Sequence, residues 1–543
     1  MAKLTTIIDR YYRTWFRFHP EVAVDVGVAG YACLLKPYGD DELNALTALN
    51  EKLISSLDEL NLNTLSQDQQ IDLQIMRSSA VLQLEAFASR DWRTSDPARF
   101  LPVHAIYQLT IRHVENKEDA FRERLSAIPA YLRGARSWLD MEPEKIPLIW
   151  LEAAIAEATG GAEFFRELKQ HPEINSYRLS EELDLAAHAL DDFALYLKNN
   201  LGKVAKGDFA CGRKYFDLIL QERHFLNINA DELYAFGEKL FKQTEKELKS
   251  ITQDLQGNDD VDALMQKIKQ HCPKKEKVLD EYRAQMHAAR KFVIDHDLVS
   301  MPGKEALKVV ETPGFLQHQI PFAAYYEPSP VDVKQQGYYY VTPAKTADEL
   351  GEHNNISIKH TCVHEAWPGH HLQFVKANLK PSSSTLPRLL NASATLYEGW
   401  ALYCEQLMHE LGFITEEESK FILLKDRLWR ALRIMIDVGI QTRGLSLDAA
   451  AKLMQEKLGF SNGQAMGDLI WYSHAPGVPM GYATGWALIN SLKQEQKEKD
   501  DYNLKSFHDT LLSSGSIALS LAIVRGFGLH AWKQTHENVF KNN

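Results

Sequence analysis

The sequence predicts a mainly α-helical fold with one small β-sheet. Apolar residues recur at the 3.6-residue period, with charged residues between them, through most of the 543 positions. Two short aromatic runs bounded by Pro or Gly have the character of strands instead. The composition is ordinary for a globular chain, 45% hydrophobic and 25% charged, and the length is enough to bury a sizeable core.

At the start, Ile8, Tyr11, Tyr12, Trp15 and Phe16 fall at helical spacing with Arg10, Arg13 and Arg17 between them. This reads as a core helix rather than one lying on a membrane, and it lacks the continuous apolar core of a secretory signal. No stretch approaches the roughly 20 apolar residues that span a bilayer. Breaks fall at Gly202 to Gly212, Gln256 to Asp260 and Lys380 to Ser384, each too short for a flexible linker. Residues 1–543 therefore read as one catalytic unit, with an N-terminal helical lobe over 1–205 and a second lobe, with the sheet, over 206–543. The strands are Ile320–Tyr326 and Gly337–Thr342, and the edge of such a sheet can pair with an extended peptide. Further on, Tyr397, Trp400, Ala401, Cys404, Leu407, Met408 and Leu411 trace the apolar stripe of an inward-packed helix. Thr415-Glu416-Glu417-Glu418 has the form of a capping-box start for the next one, which carries Arg427, Arg430 and Arg433. One of these arginines can clamp a carboxylate, although Arg433 with Asp437, four apart, reads as a structural ion pair.

A net charge of −12 argues against a nucleic-acid partner, which needs concentrated Lys and Arg. Cys33, Cys211, Cys272, Cys362 and Cys404 are scattered and odd in number, and they read as reduced thiols of a cytoplasmic protein. An exported protein trimmed of its leader would read the same.

The chemistry concentrates in His364-Glu365-Ala366-Trp367-Pro368-Gly369-His370-His371. In the motif H-E-x-x-H the histidines share one helix face and the Glu beside the first polarises a metal-bound water. Here His370 is six residues from His364, which turns it off that face. His371 is seven away, which restores the face but adds roughly 10.5 Å of helix rise. Pro368-Gly369 offers the remedy, because Pro interrupts the helix and Gly accepts unusual dihedrals. A bulge absorbing two residues there makes His370 the second ligand, with His371 the alternative. A zinc site with two histidines needs a third protein ligand and keeps one position for water. Glu398 is that candidate, and Glu405, on the same side of its helix, is placed to orient a ligand histidine. Glu365 is the general base. Tyr482, His474 and His371 are candidate donors to a developing oxyanion.

H-E-A-W-P-G-H-H followed by Tyr397-Glu398-Gly399-Trp400-Ala401 resembles the bacterial family catalogued as domain of unknown function 885, whose members are similar to zincin metallopeptidases. The resemblance extends to Ile146–Glu152, to Arg433-x-x-x-Asp437-x-Gly439 and to the segment Pro476–Gly485. The sequence departs from the family pattern at Val478, where Gln is common, and at Gln441, where a His often follows. The resemblance implies a large helical zincin-like fold with a cleft between helical lobes, as in the angiotensin-converting-enzyme and thimet-oligopeptidase groups. Dipeptidyl peptidase III offers an analogous H-E motif lengthened by insertion.

Together these features lead to the expectation of a metallopeptidase with one zinc ion per chain that cleaves short peptides. The alternatives are a metal-dependent amidohydrolase or esterase, and a binding protein on a degenerate zincin scaffold.

Overall fold

Most of the chain is helical, and the described residues hold a single sheet of three strands. The computed structural model describes residues 2–317, 320, 322–380, 382 and 384–541. Pro321 of the expected first strand, and Pro381 and Ser383 of the expected break, lie outside the described residues. The chain folds as two compact units. The first takes in Met1–Phe209, Pro313–Gln319 and Ser329–Asp332, and the second takes in Ala210–Thr312, Ile320–Pro328 and Val333–Asn543.

The first unit is built of helices. Its opening helix, Ala2–Trp15, buries Leu4, Tyr11, Tyr12 and Trp15 and leaves Arg10 and Arg13 exposed, so the aromatic stripe faces a core. The Tyr11 hydroxyl donates to Asn50 at 2.8 Å, which gives this buried phenol its partner. At the centre, Leu148–Leu168 packs on Ser180–Tyr196. The buried Ala154, Ala158, Ala162, Ala186 and Ala187 let these two helices approach closely.

In the second unit the strands are β1 (Glu305–Glu311), β2 (Ala323–Tyr326) and β3 (Gln335–Val341). β3 is central, parallel to β1 with Val309 opposite Tyr339, and antiparallel to β2 with Tyr325 opposite Tyr339. β2 is shorter than the expected Ile320–Tyr326, and β3 runs two residues further upstream than Gly337. β1 is additional to the two expected strands. Its Leu307 and Val309 are buried around an exposed Lys308, the alternation of a half-covered strand.

Six helices follow that build the site: α1 (Asn355–Glu365), α2 (His370–Leu379), α3 (Ala394–Glu410), α4 (Ser419–Thr442), α5 (Asn462–His474) and α6 (Gly481–Lys497). α4 begins at Ser419, not at the expected Thr415–Glu418 capping box. Ser419 N–H closes a turn on the Glu416 carbonyl at 3.0 Å, and its buried hydroxyl meets His360 at 3.2 Å and His409 at 3.0 Å. Those partners fix the helix start.

α3 and α6 meet backbone to backbone. A Cβ on Gly399 would lie 2.5 Å from Gly485 Cα, one on Gly485 would lie 2.0 Å from the Thr395 carbonyl oxygen, and one on Gly481 would lie 2.5 Å from Ala394 Cβ. Gly485→Ala gains about 1 kcal/mol of helix propensity but overpacks this contact. We expect a net loss of roughly 2 kcal/mol, read as a lower midpoint in urea unfolding; an unchanged midpoint would mean that the helices part without cost. No helix among the described residues is long and apolar enough to cross a membrane. All five cysteines are free thiols.

Candidate metal centre

α1 starts on Asn354, whose side chain accepts from Ser357 N–H at 2.9 Å, and it ends at Glu365. Ala366 then leaves the helix with φ −109° and ψ −95°, and the Trp367-Pro368 bond is cis. Gly369 N–H returns to the Val363 carbonyl at 3.0 Å. A Cβ on Gly369 would stand 1.9 Å from the His364 carbonyl oxygen, so this return requires glycine. Trp400 Nε1–H donates to the Pro368 carbonyl at 2.8 Å and ties the junction to α3. The deformation at Pro368-Gly369 is therefore a full break between two helices, where the sequence suggested a bulge within one. Pro368 lacks the N–H that would continue the ladder, and Gly369 is folded back on the end of α1.

The break carries His370 to His364. Their rings lie 4.7 Å apart and nearly perpendicular, at 89°. From α3, Glu398 Oε2 stands 3.4 Å from His364 Nε2 and 3.3 Å from His370 Nε2. The ligand atoms of these three buried residues all lie within 4.8 Å of one another, the one such group among the described residues. His364 Nδ1–H donates to Glu405 Oε1 at 2.7 Å, which fixes the ring so that Nε2 faces Glu398.

The electrostatics favour a cation. Glu365, Glu398 and Glu405 are all buried here, with the His364 and His370 imidazoles between them and His360 4.0 Å from Glu405. Burial opposes a charge on His364, but the close approach of Glu398 and the hydrogen bond to Glu405 outweigh this and hold it up at about 10. Burial likewise works against Glu398, yet His370 and His364 hold its carboxyl well below the usual range. Glu398 Oε2 has no hydrogen-bond partner. Two imidazoles and one carboxylate brought together in this way are a donor set able to hold a metal ion with a position left open. Burial pushes the Glu365 carboxyl up, opposed by His364 and His370, as a proton acceptor in a low-dielectric site requires.

The structure does not bring His371 to this group. Its Nε2 pairs with Glu305 Oε2 at 3.0 Å and its Nδ1 meets the Tyr325 hydroxyl at 3.1 Å, so both ring nitrogens are engaged by the sheet. His370, and not His371, is the histidine brought beside His364 and Glu398. His474 Nδ1 is engaged by the Ile470 carbonyl of its own helix at 3.1 Å. Tyr482 does come in. Its ring stacks on His364 at 6.3 Å and 17°, and burial together with the adjacent Glu398 keeps its phenol protonated well above the usual range. The Gly399–Gly485 contact holds it there.

The arginine stripe differs from expectation. Arg433 does not pair with Asp437; its Nη2 approaches Asp468 at 3.6 Å. Asp437 instead accepts from Gly477 N–H at 3.1 Å, and burial pushes its carboxyl up. Gly477, at φ +78°, presents that N–H from a conformation few other residues adopt. Gln441 also has a packing role: it accepts from Cys211 N–H at 2.9 Å and donates to the Tyr472 carbonyl at 3.1 Å.

Three groups were missed in the sequence reading: Glu305, Tyr325 and Asp468. Glu305 carried no local signal, since it reaches His371 only through the pairing of β1 beside β3. Asp468 carried none, since its partners come from α4 and its own helix. Replacing Glu405 with Gln removes the charged acceptor behind His364, and we expect a drop in zinc affinity of about 10- to 100-fold by competition with a chromophoric chelator. An unchanged affinity would reduce Glu405 to packing.

The sequence model for the bacterial proteins of unknown function named DUF885 matches residues 20–522. The chain belongs to the DUF885 family. A protein of Shewanella oneidensis, described as a "putative lipoprotein of unknown function", superposes with a TM-score of 0.77 at 22% identity, over 96% of this chain and 98% of its own. A "putative lipoprotein" of Colwellia psychrerythraea superposes with a TM-score of 0.81 at 17% identity, over 98% and 99%. At these identities the likeness shows that the three chains share a fold. A "putative oligoendopeptidase F" of Bacillus anthracis aligns over 93% and 96% at 12% identity, but its TM-score of 0.30 carries no argument. No curated protein matches the chain.

Proposed function

We propose that this DUF885 protein is a zinc-dependent peptidase, acting as one catalytic unit on short peptides. The observation that carries the reading is the convergence of His364, His370 and Glu398 directly beside a buried Glu365. His364, His370 and Glu398 hold the ion. When bound, zinc acidifies a water and polarises a carbonyl. Glu365 takes a proton from the attacking water as the water oxygen bonds to the carbonyl carbon. It then passes that proton to the amide nitrogen as the C–N bond breaks, yielding a carboxylic acid, whose remaining proton passes to the amine to leave a carboxylate and an ammonium. The Tyr482 phenol, neutral and held against His364, donates to the carbonyl oxygen as negative charge builds there. Glu405 keeps the His364 ring oriented throughout.

The test is metal analysis of protein purified without chelator, followed by assays of zinc-free and zinc-loaded protein on a mixed peptide library and on small amides and esters. One zinc per chain with zinc-dependent peptide cleavage is the expected result. Cleavage confined to the amides and esters would transfer the site to a different hydrolase, and a chain that takes up no transition metal would overturn the reading.

A further inference from the structure

Of the three arginines along α4, two have close carboxylates. Arg430 Nη1 lies 3.0 Å from Asp426, and Arg427 pairs with Glu247. Arg433 differs. Although it is only 5% exposed, its Nε and Nη1 have no partner. The carboxylate paired with it, Asp468 Oδ2, stands 3.6 Å from Nη2, and Glu398 also acts on it through space. That same oxygen already accepts from the Tyr472 hydroxyl at 2.7 Å and from Trp429 Nε1–H at 3.1 Å. Asp468 is thus committed to two neutral donors and offers Arg433 a distant charge rather than a bidentate bond. The guanidinium is otherwise walled by aromatic faces, with Trp429 at 4.0 Å, Tyr482 at 4.5 Å and Trp471 at 5.5 Å. Ring faces stabilise the cation but accept none of its N–H bonds in plane. A buried guanidinium with several unused donors is costly unless an anion completes it.

The position of the missing anion follows from Tyr482. One neighbour of its ring is His364 at 6.3 Å, and another is Arg433 at 4.5 Å. The guanidinium therefore lies no further from the metal ligands than about three extended residues at roughly 3.5 Å each. Trp429, Trp471 and Tyr482 are each partly exposed, so the cage has an open rim.

We propose that Arg433 binds the free C-terminal carboxylate of the peptide, so that the enzyme releases C-terminal fragments of one to three residues. The proposal rests on the peptidase reading above. Asp468, Trp429 and Tyr472 position the guanidinium, whose unpartnered Nη1 then donates to the carboxylate.

The experiment uses zinc-loaded Glu365→Gln protein, which retains peptide without turning it over. The probes are two mixtures of acetylated tetrapeptides that differ only in ending as free acids or as carboxamides. Bound peptides are separated and counted by mass spectrometry. Acids should be enriched over amides roughly 10- to 100-fold. Arg433→Gln should abolish that preference while retaining amides as before, and Arg433→Lys should keep part of it. Equal retention of acids and amides, retention of neither, or a preference that survives in Arg433→Gln overturns the assignment. Should Arg433→Gln fail to fold, the acid–amide comparison and Arg433→Lys decide alone. Cleavage of the same mixtures by zinc-loaded native protein is scored separately. An acid preference without any cleavage would sink the peptidase reading and leave the carboxylate site standing.

Discussion

Glu365→Gln protein takes up zinc at one ion per chain and loses peptide turnover by about 10²- to 10⁴-fold, the usual worth of a positioned general base. The substitution preserves the shape of the side chain and the helix end at α1, and it leaves His364, His370 and Glu398 untouched. Metal content and folding therefore stay as they are while the proton acceptor is gone. Steady-state kinetics on the best peptide substrate, together with metal analysis of the same preparation, check both halves of the expectation. Full activity in this variant would remove Glu365 from the mechanism.

The second large effect separates neighbouring histidines. His370→Ala deletes one of three converging ligands, and we expect loss of both zinc and turnover, with zinc affinity falling well beyond the roughly 10- to 100-fold expected for an outer partner such as Glu405. His371→Ala deletes a ring enclosed by Glu305 and Tyr325. It should keep zinc while destabilising the fold by about 2 kcal/mol, because a buried ring is deleted and Glu305, although it keeps Arg290 at 2.8 Å, loses one of its two partners. Dialysis against a zinc buffer followed by metal analysis distinguishes the two. The reverse pattern would place the second ligand at His371.

The reach of the sequence is uneven across this site, for a physical reason. His364, Glu365 and His370 lie in one octapeptide whose Pro368-Gly369 pair advertises its own interruption, so a local reading finds them. Glu398 is visible because it flanks an apolar stripe that has to face inward, downstream of the His/Glu octapeptide. The i, i+4 rule also is local, and it failed at Arg433 and Asp437. Gly477 from a distant turn offers Asp437 a backbone N–H, and Asp468 on α5 draws Arg433 away. Glu305 reaches His371 only because β1 pairs beside β3, a long-range event that no spacing within 305–311 encodes. The mainly helical architecture was legible throughout, since the 3.6-residue period needs no tertiary knowledge. The start of α4 was not, because it is set by buried partners of Ser419 rather than by the acidic run before it.

Where helices touch through side chains, a longer or shorter residue can retune the gap between them. At Gly399 and Gly485 the two backbones are already in contact, and the gap is at its minimum. Glu398 and Tyr482, neighbours of Gly399 and Gly481, behave as two teeth of one rigid jaw. Any larger residue at Gly399 or Gly485 pushes these teeth apart and none draws them closer, so the reach from the Glu398 carboxylate to the Tyr482 phenol has a floor set by the main chain itself.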